Sequence, residues 1–385
     1  MGEPLKSLSV KGFRSIAALE DFKLNRLNIL IGANGSGKSN FIGLFDFLGE
    51  LIRKNLGLAT ADAGGAETFL HLGSRVTPEL EVSLRFGQNG YDFRLKPNVE
   101  DRFYFSYEAA LYDGPYGKSK SEWRAGGSEA RLPDLRDARG TWGANYGVPH
   151  YVHDAISSWT VYHFHDTSSH SPARRPGAIN DNERLRHDAS NLAAVLYRMQ
   201  ETRSPELARI RDAVRLAAPF FHDFKLRPNP LSPEIIQLEW LQQGSDYPFR
   251  ASQLSDGTLR FICLCTALLQ PALPATLLFD EPELGLHPSA LSVLAALFKS
   301  AAAGSWRQLV ATTQSPAFLA EFGPEDVVVV ERANGASVLR RLNPDVLADW
   351  LQEYSLGDLW LKNLLGGRPG PETVLTPAVA SERAE

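Results

Sequence analysis

Residues 30–41 read Leu-Ile-Gly-Ala-Asn-Gly-Ser-Gly-Lys-Ser-Asn-Phe, and this stretch decides the fold. It fills the pattern G-x-x-x-x-G-K-[ST], a loop whose backbone N–H groups surround nucleotide phosphates. The apolar run Leu27–Ile31 precedes the loop, and a helical pattern from Asn40 onward follows it. A strand, a glycine-rich turn and the positive end of a helix together predict a phosphate-binding site. The residues expected to hold the phosphates are Gly32, Asn34, Gly35, Ser36, Gly37, Lys38, Ser39 and Asn40.

A second motif supplies two carboxylates. The apolar run Thr276–Phe279 ends in Asp280 and Glu281, and a buried parallel strand would bring both to the sheet edge that carries the phosphate loop. We expect Ser39 and Asp280 to hold Mg²⁺ and Glu281 to act as the general base for water attack on the γ-phosphate. A strand that simply ends in acidic turn residues would explain Asp280 and Glu281 alone, but the phosphate loop in the same chain favours an ATP site.

A third motif, Gln253–Arg260, reads Gln-Leu-Ser-Asp-Gly-Thr-Leu-Arg, and its Ser255 lies 25 residues before Asp280. The motif resembles the signature loop of ABC-type ATPases, L-S-x-G. In that family the loop caps the γ-phosphate bound by a partner chain, so the resemblance implies a homodimer that closes on ATP. It also implies that Ser255, Asp256 and Gly257 contact the nucleotide. An ordinary helix N-cap at Ser255 or Asp256 is compatible with the same residues.

The flanking sequence resembles the SMC, RecF and OLD-type branch of these ATPases. Ser7–Ser15 resembles their first strand, whose Phe-Arg pair, here Phe13 and Arg14, lies near the nucleotide. Glu283–Pro288 resembles the D-loop, and Val310–Pro316 resembles the switch strand. The resemblance covers most of residues 5–345. It implies an α/β P-loop NTPase fold of the ABC-ATPase head type, with a mixed central sheet, an antiparallel β-subdomain and a helical lobe.

The chain departs from this family in two places. Gln314 stands at the switch position where His is usual, and Gln can hydrogen-bond a γ-phosphate or orient water but cannot carry a proton. We therefore assign Glu281 and Gln314 to catalysis and expect slow turnover. The second departure is the lack of a clear Q-loop glutamine before the signature, since Gln88 falls in a turn and the next Gln is Gln200.

The domain organisation follows from composition and periodicity. Residues 1–112 and 228–345 are expected to form the ATPase core, 113–227 an insertion with a helical lobe, and 346–385 a C-terminal helix with a flexible tail. Alternating apolar residues over 79–86 and 91–95 predict a hairpin. Residues 5–31 are expected to form a strand, a turn and a second strand, 57–65 a loop, and 113–149 a loop or small insertion. We expect helices over 190–201, 205–217 and 345–354, and a final strand pair over 326–331 and 337–342.

The net charge of −5 gives the chain no global basic field, so any DNA contact must come from a local patch. The candidate is the loop that carries Arg174 and Arg175, with Arg184 and Arg186 nearby. Two Cys residues, no signal segment and no run of 18 apolar residues predict a cytoplasmic protein without a membrane partner.

These features favour an ATP-hydrolysing ABC-type ATPase that uses Mg²⁺ and forms an ATP-sandwiched dimer. It would act on DNA, or on a separately encoded nuclease or other effector, in DNA repair or antiviral (phage) defence. One alternative is a nucleotide-gated regulatory module with little turnover, which Gln314 leaves open. Another is a transporter-type nucleotide-binding subunit, which the missing Q-loop glutamine and the SMC-like first strand disfavour.

Overall fold

The computed structural model describes residues 3–138, 146–303 and 307–368. In chain order the strands are β1 Ser7–Phe13, β2 Ile16–Lys23, β3 Leu27–Ile31, β4 Leu80–Phe86, β5 Asn89–Pro97, β6 Phe103–Gly114, β7 Gly117–Glu122, β8 Trp159–Tyr162, β9 Gly177–Ala178, β10 Phe221–Lys225, β11 Pro228–Asn229, β12 Ser232–Ile236, β13 Glu239–Gln242, β14 Phe249–Arg250, β15 Thr276–Phe279, β16 Gln308–Thr313, β17 Val327–Ala333 and β18 Ala336–Arg341. The helices are α1 Lys38–Ile52, α2 Leu56–Asp62, α3 Val148–Ser157, α4 Leu192–Glu201, α5 Pro205–Ala217, α6 Asp256–Leu269, α7 Pro288–Ala302, α8 Pro316–Leu319, α9 Pro344–Leu347 and α10 Leu356–Leu361.

The central sheet has the strand order β18-β17-β3-β16-β15-β8. All of its neighbouring pairs are parallel except β17 and β18, which form an antiparallel hairpin. The turn of this hairpin contains Asn334, whose φ of 51° is left-handed, and Gly335. The sheet is therefore mixed, and the strand pair predicted at 326–331 and 337–342 is confirmed.

The central strands are buried on both faces, and their side chains alternate between two apolar clusters. Ile29 and Ile31 point to the cluster that contains helices α4 to α7. Leu30 points to the other cluster, with α1, α3 and the second large sheet. Continuous burial of this kind is typical of parallel strands covered by other elements on both sides, and it fixes the sheet as the middle layer.

The second large sheet is antiparallel, in the order β2-β1-β4-β5-β6-β7. β4 alternates buried and half-buried residues along its length, as expected for a strand with one face on a core. This sheet is the predicted β-subdomain. Residues 5–31 hold three strands rather than the predicted two, because β1 and β2 form a tight hairpin around Arg14, whose φ is 48°.

Strand β8 lies within the segment 113–227 that the sequence assigns to the insertion, yet it pairs in parallel with β15 in the central sheet. The helices α4 and α5 of the same segment pack on α6 and form the helical lobe. The chain therefore leaves the core after the β-subdomain and returns for one strand before it builds the lobe.

Three local predictions are wrong. The stretch predicted as a loop over 113–149 contains β7, whose residues are all exposed, so the strand lacks the alternation that would reveal it. The Gly- and Ala-rich stretch at 57–65 forms α2, because Glu129 accepts hydrogen bonds from the backbone N–H groups of Leu56 (3.1 Å) and Gly57 (3.0 Å). The C-terminal helix near 345–354 is the short α9 followed by a 3₁₀ turn, Trp350–Gln352.

The predicted tail lies almost wholly outside the described residues, which end at Arg368. None of the helices within 3–138, 146–303 and 307–368 has the length and apolarity that a bilayer crossing requires.

Candidate nucleotide site

The carboxyl ends of the parallel strands meet at one edge of the central sheet. β3 ends there in the phosphate loop, β15 in Asp280 and β16 in Gln314. The register pairs Ile31 with Thr313 and Phe279 with Ala311, so these ends lie at nearly the same level. Crevices at this edge of an open α/β sheet are where ligands bind. The structure therefore brings together the phosphate loop, the acidic pair that follows β15 and the switch residue Gln314.

The phosphate loop is shaped by glycine and held by a distant hairpin. Gly37 has a φ of 108°, and a Cβ there would lie 2.0 Å from the Ser337 hydroxyl, so no other residue fits. The Ser337 hydroxyl donates to the Ser36 carbonyl (2.6 Å) and accepts from the Ser15 hydroxyl (2.7 Å). Ser15 in turn accepts from the Asn40 side-chain amide (2.7 Å). Strand β18, the turn between β1 and β2 and the start of α1 are thus linked around the loop.

Lys38 is almost fully buried and folds back over its own loop. Its ammonium donates to the carbonyls of Gly32 (2.7 Å) and Ala33 (3.1 Å). Burial lowers the pKa of Lys38, while Glu281, Asp280 and Glu283 oppose that shift. The cation therefore lies within the field of the acidic residues at the end of β15.

The loop fits a phosphate group. The Ser36 hydroxyl is buried and has no hydrogen-bond partner among the described residues, and an unpaired buried polar atom indicates a missing ligand or water. Gly32, Gly35 and Gly37 carry no side chain that would block a phosphate, and Lys38 adds a cation. Asn34, Gly35 and Ser39 are exposed, so they are open to a ligand.

The residues also fit a magnesium ion. The exposed Ser39 hydroxyl and the half-buried Asp280 carboxylate are hard oxygen donors, and Mg²⁺ bound with nucleotide takes one or two protein ligands beside phosphates and waters. Among the described residues no cluster of three or more His, Cys, Asp or Glu could hold a metal by itself. Ser39 and Asp280 are therefore the residues that would hold a magnesium ion bound with nucleotide.

A tight turn after β15 faces the acidic residues toward the end of β16. Glu281 has a φ of 45°, a left-handed conformation that is unusual for a non-glycine residue and costs about 1 kcal/mol or more. Its backbone N–H donates to the Thr312 hydroxyl (2.9 Å), which in turn donates to Asp280 (2.5 Å). The Gln314 amide donates to the Glu281 carboxylate. The two predicted catalytic residues are thus in direct contact.

Glu283 completes the acidic turn and is not among the residues predicted for the site. It is 6% exposed, and one of its carboxylate oxygens accepts from the Thr313 hydroxyl (2.5 Å) and the Gln314 backbone N–H (3.0 Å). Burial raises the pKa of Glu283, and the neighbouring Glu281 raises it further. Its position after the acidic pair was visible in the sequence, but its burial was not.

The signature residues begin helix α6; Ser255 and Asp256 are exposed, and Gly257 is half-buried. Ser255 is the N-cap, and its hydroxyl accepts from the Thr258 N–H (3.2 Å). A Cβ on Gly257 would lie 2.4 Å from the Gly285 carbonyl, so the start of α6 packs closely on the loop after the acidic turn. None of the described hydrogen bonds joins 255–257 to the phosphate loop of the same chain. The signature and the phosphate loop are separate surfaces of one chain.

Arg174 does not face solvent, which corrects the prediction that it contacts DNA. Its side chain is 6% exposed and forms an ion pair with Asp256 (2.7 Å). It also donates to the carbonyls of Thr167 (3.0 Å), Ala251 and Leu254 (3.1 Å). A guanidinium that satisfies four partners in this way braces the signature loop. Of the neighbouring arginines, Arg175 and Arg184 are exposed, and Arg186 pairs with Asp181 (2.6 Å).

Phe13 is also misassigned by the sequence. Its ring is 0% exposed and packs against Phe47 and Phe69 at centroid distances of 5.7 and 6.1 Å. A ring that is enclosed by other rings cannot contact a ligand. Arg14, the next residue, places its guanidinium 5.1 Å from the Phe69 ring and 3.1 Å from the position of a Cβ on Gly43. It lies along α1, and burial lowers its pKa.

Two histidines follow β8 beside the acidic strand. His163 shares a hydrogen bond with Asp46 of α1 (3.2 Å), which raises the pKa of His163. Burial lowers the pKa of His165, although Asp280 opposes the shift. The parallel pairing of β8 with β15 places both histidines at the sheet edge, and the sequence offered no signal for that pairing.

Comparison with solved structures shows that the fold is similar to that of SMC heads. The SMC head bound to the C-winged-helix domain of ScpA superposes with a TM-score of 0.55 at 17% identity, over 89% of this chain and 99% of that one. The SMC head from Pyrococcus furiosus, with an extended coiled coil and bound to the C-terminal domain of ScpA, gives 0.52 at 17% identity, over 91% and 99%. At this identity the likeness shows the fold alone.

No curated protein sequence matches the chain. A family profile described as "AAA domain, putative AbiEii toxin, Type IV TA system" matches residues 27–320, which include the phosphate loop, the signature, the acidic turn and Gln314. The profile covers most of the chain. The sequence motifs, the SMC-head fold and this match agree: the chain is an SMC- and RecF-like ABC-type ATPase domain and belongs to the AAA-domain family so described.

Proposed function

We propose that this protein binds and hydrolyses ATP with Mg²⁺ and closes into a homodimer around two ATP molecules. The supporting observation is the split of the nucleotide machinery into two surfaces. The phosphate loop, Asp280, Glu281 and Gln314 share one sheet edge, whereas Ser255 and Gly257 begin a separate helix that is open to solvent. A helix N-terminus that presents a hydroxyl and N–H groups suits an anion, and a second chain can supply it.

The proposed chemistry assigns each group one task. The backbone of 32–37 and Lys38 bind the β- and γ-phosphates, while Ser39 and Asp280 hold Mg²⁺, which when bound would neutralise the phosphate charge. Glu281 accepts a proton from the attacking water. Gln314 orients that water and the Glu281 carboxylate, because its amide already donates to that carboxylate. Arg14, whose guanidinium lies beside α1 and over the Phe69 ring, keeps the predicted place near the nucleotide.

A variant that keeps binding but lacks the base tests this function. Glu281→Gln should bind ATP, fail to release phosphate, and accumulate as a dimer of twice the protomer mass in light scattering with Mg-ATP. Lys38→Ala is the matched control, since loss of the cation should abolish binding and leave a monomer. If the wild-type chain releases no phosphate, or if Glu281→Gln stays monomeric with ATP, the proposal is wrong.

We also propose that nucleotide-driven closure acts on DNA or on a separate effector protein, in DNA repair or in defence against phage. The family description names a putative toxin of a type IV toxin–antitoxin system, which fits a chain whose nucleotide state controls a partner. The buried free thiols Cys263 and Cys265 are consistent with the reducing cytoplasm that we propose as its location. Purification from the native host with identification of bound proteins and nucleic acid would decide between the partners.

A nucleotide-gated module with little turnover is the second candidate, and one contact favours it. The Gln314 side-chain amide donates to the Glu281 carboxylate, the same group that would accept a proton from water. Gln itself cannot relay a proton. Single-turnover measurement separates the two functions. A regulatory module would dimerise with ATP but release much less than one phosphate per site over the lifetime of the dimer.

A further inference from the structure

Three consecutive residues at the end of β16 each contact a different carboxylate of the acidic turn. Thr312 donates to Asp280 (2.5 Å), Thr313 donates to Glu283 (2.5 Å), and the Gln314 amide donates to Glu281. Asp280 and Glu281 have roles in the proposed reaction. Glu283, the third carboxylate, has none so far.

The contacts of Glu283 concern the backbone of the switch residue. Its Oε1 accepts the Gln314 N–H at 3.0 Å and the Thr313 hydroxyl at 2.5 Å. Thr313 in turn accepts the Ser315 N–H at 3.0 Å. One carboxylate oxygen therefore fixes the chain at the point where it leaves β16. The other oxygen, Oε2, is buried and has no partner among the described residues.

We propose that Glu283 is a positioning residue, which fixes the backbone of Gln314 so that its side-chain amide meets Glu281. The proposal rests on the hydrolytic function proposed above. A buried carboxylate with one unpaired oxygen is costly, and a turn could be closed more cheaply by an apolar residue. Its hydrogen bond to the backbone of Gln314 explains why a carboxylate stands at this position.

The orientation of Gln314 depends on this anchor. Gln has three rotatable side-chain bonds, so its amide holds a fixed place only if its backbone is fixed. Small displacements of a group that orients a reactant lower the rate strongly. Removal of the Glu283 acceptor should therefore slow the chemical step without weakening ATP binding.

Two variants of similar volume separate positioning from packing. Glu283→Leu fills the space but removes the acceptor, and kcat should fall about tenfold or more at unchanged nucleotide Kd. Glu283→Gln keeps a carbonyl acceptor and should retain kcat within about threefold. Equal loss in both variants, or a loss of binding in place of kcat, would overturn the proposal.

A double-mutant cycle tests whether Glu283 acts through Gln314. In a Gln314→Ala background, Glu283→Leu should lower kcat by less than about twofold, because the group it positions is already gone. Additive losses would mean that Glu283 acts on the site by another route.

Amide hydrogen exchange gives a measurement that needs no nucleotide. The backbone N–H of Gln314 should exchange about tenfold faster in Glu283→Leu than in the wild type, and Glu283→Gln should keep the wild-type protection. In both variants the backbone N–H groups of the core strand β3 should stay protected. If wild-type chain shows no ATPase activity, the proposed function fails, but the exchange still decides whether Glu283 holds Gln314. Unchanged exchange in Glu283→Leu would refute the anchor whatever the activity.

Discussion

Gln314 reaches Glu281 from the end of β16, and Glu281 meets it in a left-handed backbone conformation. In this pair Gln314 stands where related ATPases usually have a histidine. Gln can only orient, whereas His can also exchange a proton near neutral pH. The side chain at this position should therefore set the turnover rate.

Replacement of Gln314 by His should give equal or higher kcat at unchanged ATP affinity, as measured by steady-state phosphate release. Gln314→Glu is the matched control, because it keeps the shape but places a second carboxylate against Glu281, and it should lower kcat about tenfold or more. Complete loss of activity in Gln314→His would show that the amide itself is required.

The sequence identified the residues whose roles depend on local spacing. Asp280 and Glu281 directly follow β15, and Lys38 follows β3 through the phosphate loop, so the ends of those strands place them. The sequence failed for Arg174 and Phe13, because their environment is made by residues far along the chain. Arg174 is buried by the carbonyls of Ala251 and Leu254, and Phe13 by Phe47 and Phe69.

Helix α6 presents its first turn to solvent, with Ser255 as the cap and Arg174 bracing it from behind. Arg174 holds the start of α6 in place and leaves its outer surface accessible. The start of α6 is therefore open to contact with a second chain.

Ser255→Arg should block this contact between two chains, because the larger side chain would occupy the exposed start of α6. We expect loss of dimerisation and of hydrolysis, with binding of one fluorescent ATP analogue per chain retained. Loss of the cap itself costs about 1 kcal/mol, so the melting temperature should fall slightly, and Ser255→Thr controls for the cap because it keeps the hydroxyl. Normal dimerisation in Ser255→Arg would exclude the shared site.

Helix α1 and strand β8 are joined by the bond between Asp46 and His163. The folded pKa of His163 is raised, so the stabilisation that depends on its charge is fully present below the unfolded pKa near 6.5 and is lost as pH rises through the folded pKa. Asp280 faces the same histidine and adds to the shift.

Asp46→Asn should therefore lower the melting temperature more at pH 6 than at pH 8.5. Glu50→Gln is the matched control, since Glu50 lies on the same helix and pairs with Arg53 rather than with a histidine. The loss in that control should be the same at both pH values. A loss in Asp46→Asn that does not depend on pH would show that His163 is not charged in the folded state.

Elements with strong periodicity were predicted well, such as α5 and the final hairpin. Strand β7 and the sheet partner of β8 were harder to predict. β7 is exposed throughout, and β8 has only four residues whose sheet partner, β15, is more than 100 residues further on. The proposed division into core, insertion and tail therefore needs the strand 159–162 assigned to the core.

The net charge of −5 makes DNA binding by the whole surface unfavourable. With Arg174 buried, the predicted basic patch retains Arg175, Arg184 and Arg186 as exposed cations, and Arg186 pairs with Asp181 (2.6 Å). Because Arg186 already has a carboxylate partner, Arg175 and Arg184 are the residues to test.

Arg175→Ala with Arg184→Ala should weaken duplex DNA binding equally for all sequences and reduce the salt dependence of log K by about two units, near 0.9 per phosphate contact. Gel-shift titrations at two salt concentrations, with and without ATP, measure this. Lys118→Ala, in the exposed strand β7, serves as the control for a general change in charge. If the wild-type chain binds no DNA in any condition, a protein effector is the sole partner.

The hydrogen bond from Ser337 to the phosphate loop also has a consequence for folding during synthesis. Ser15, Ser36 and the central strand β3 leave a ribosome before β16, β17 and Ser337, which follow about 300 residues later. At roughly 5–20 residues per second this delay lasts about 15–60 s. During that time β3 lacks both of its neighbours and presents an apolar strand with open edges. We therefore expect chaperones to protect β3 until β16 and β17 have been made.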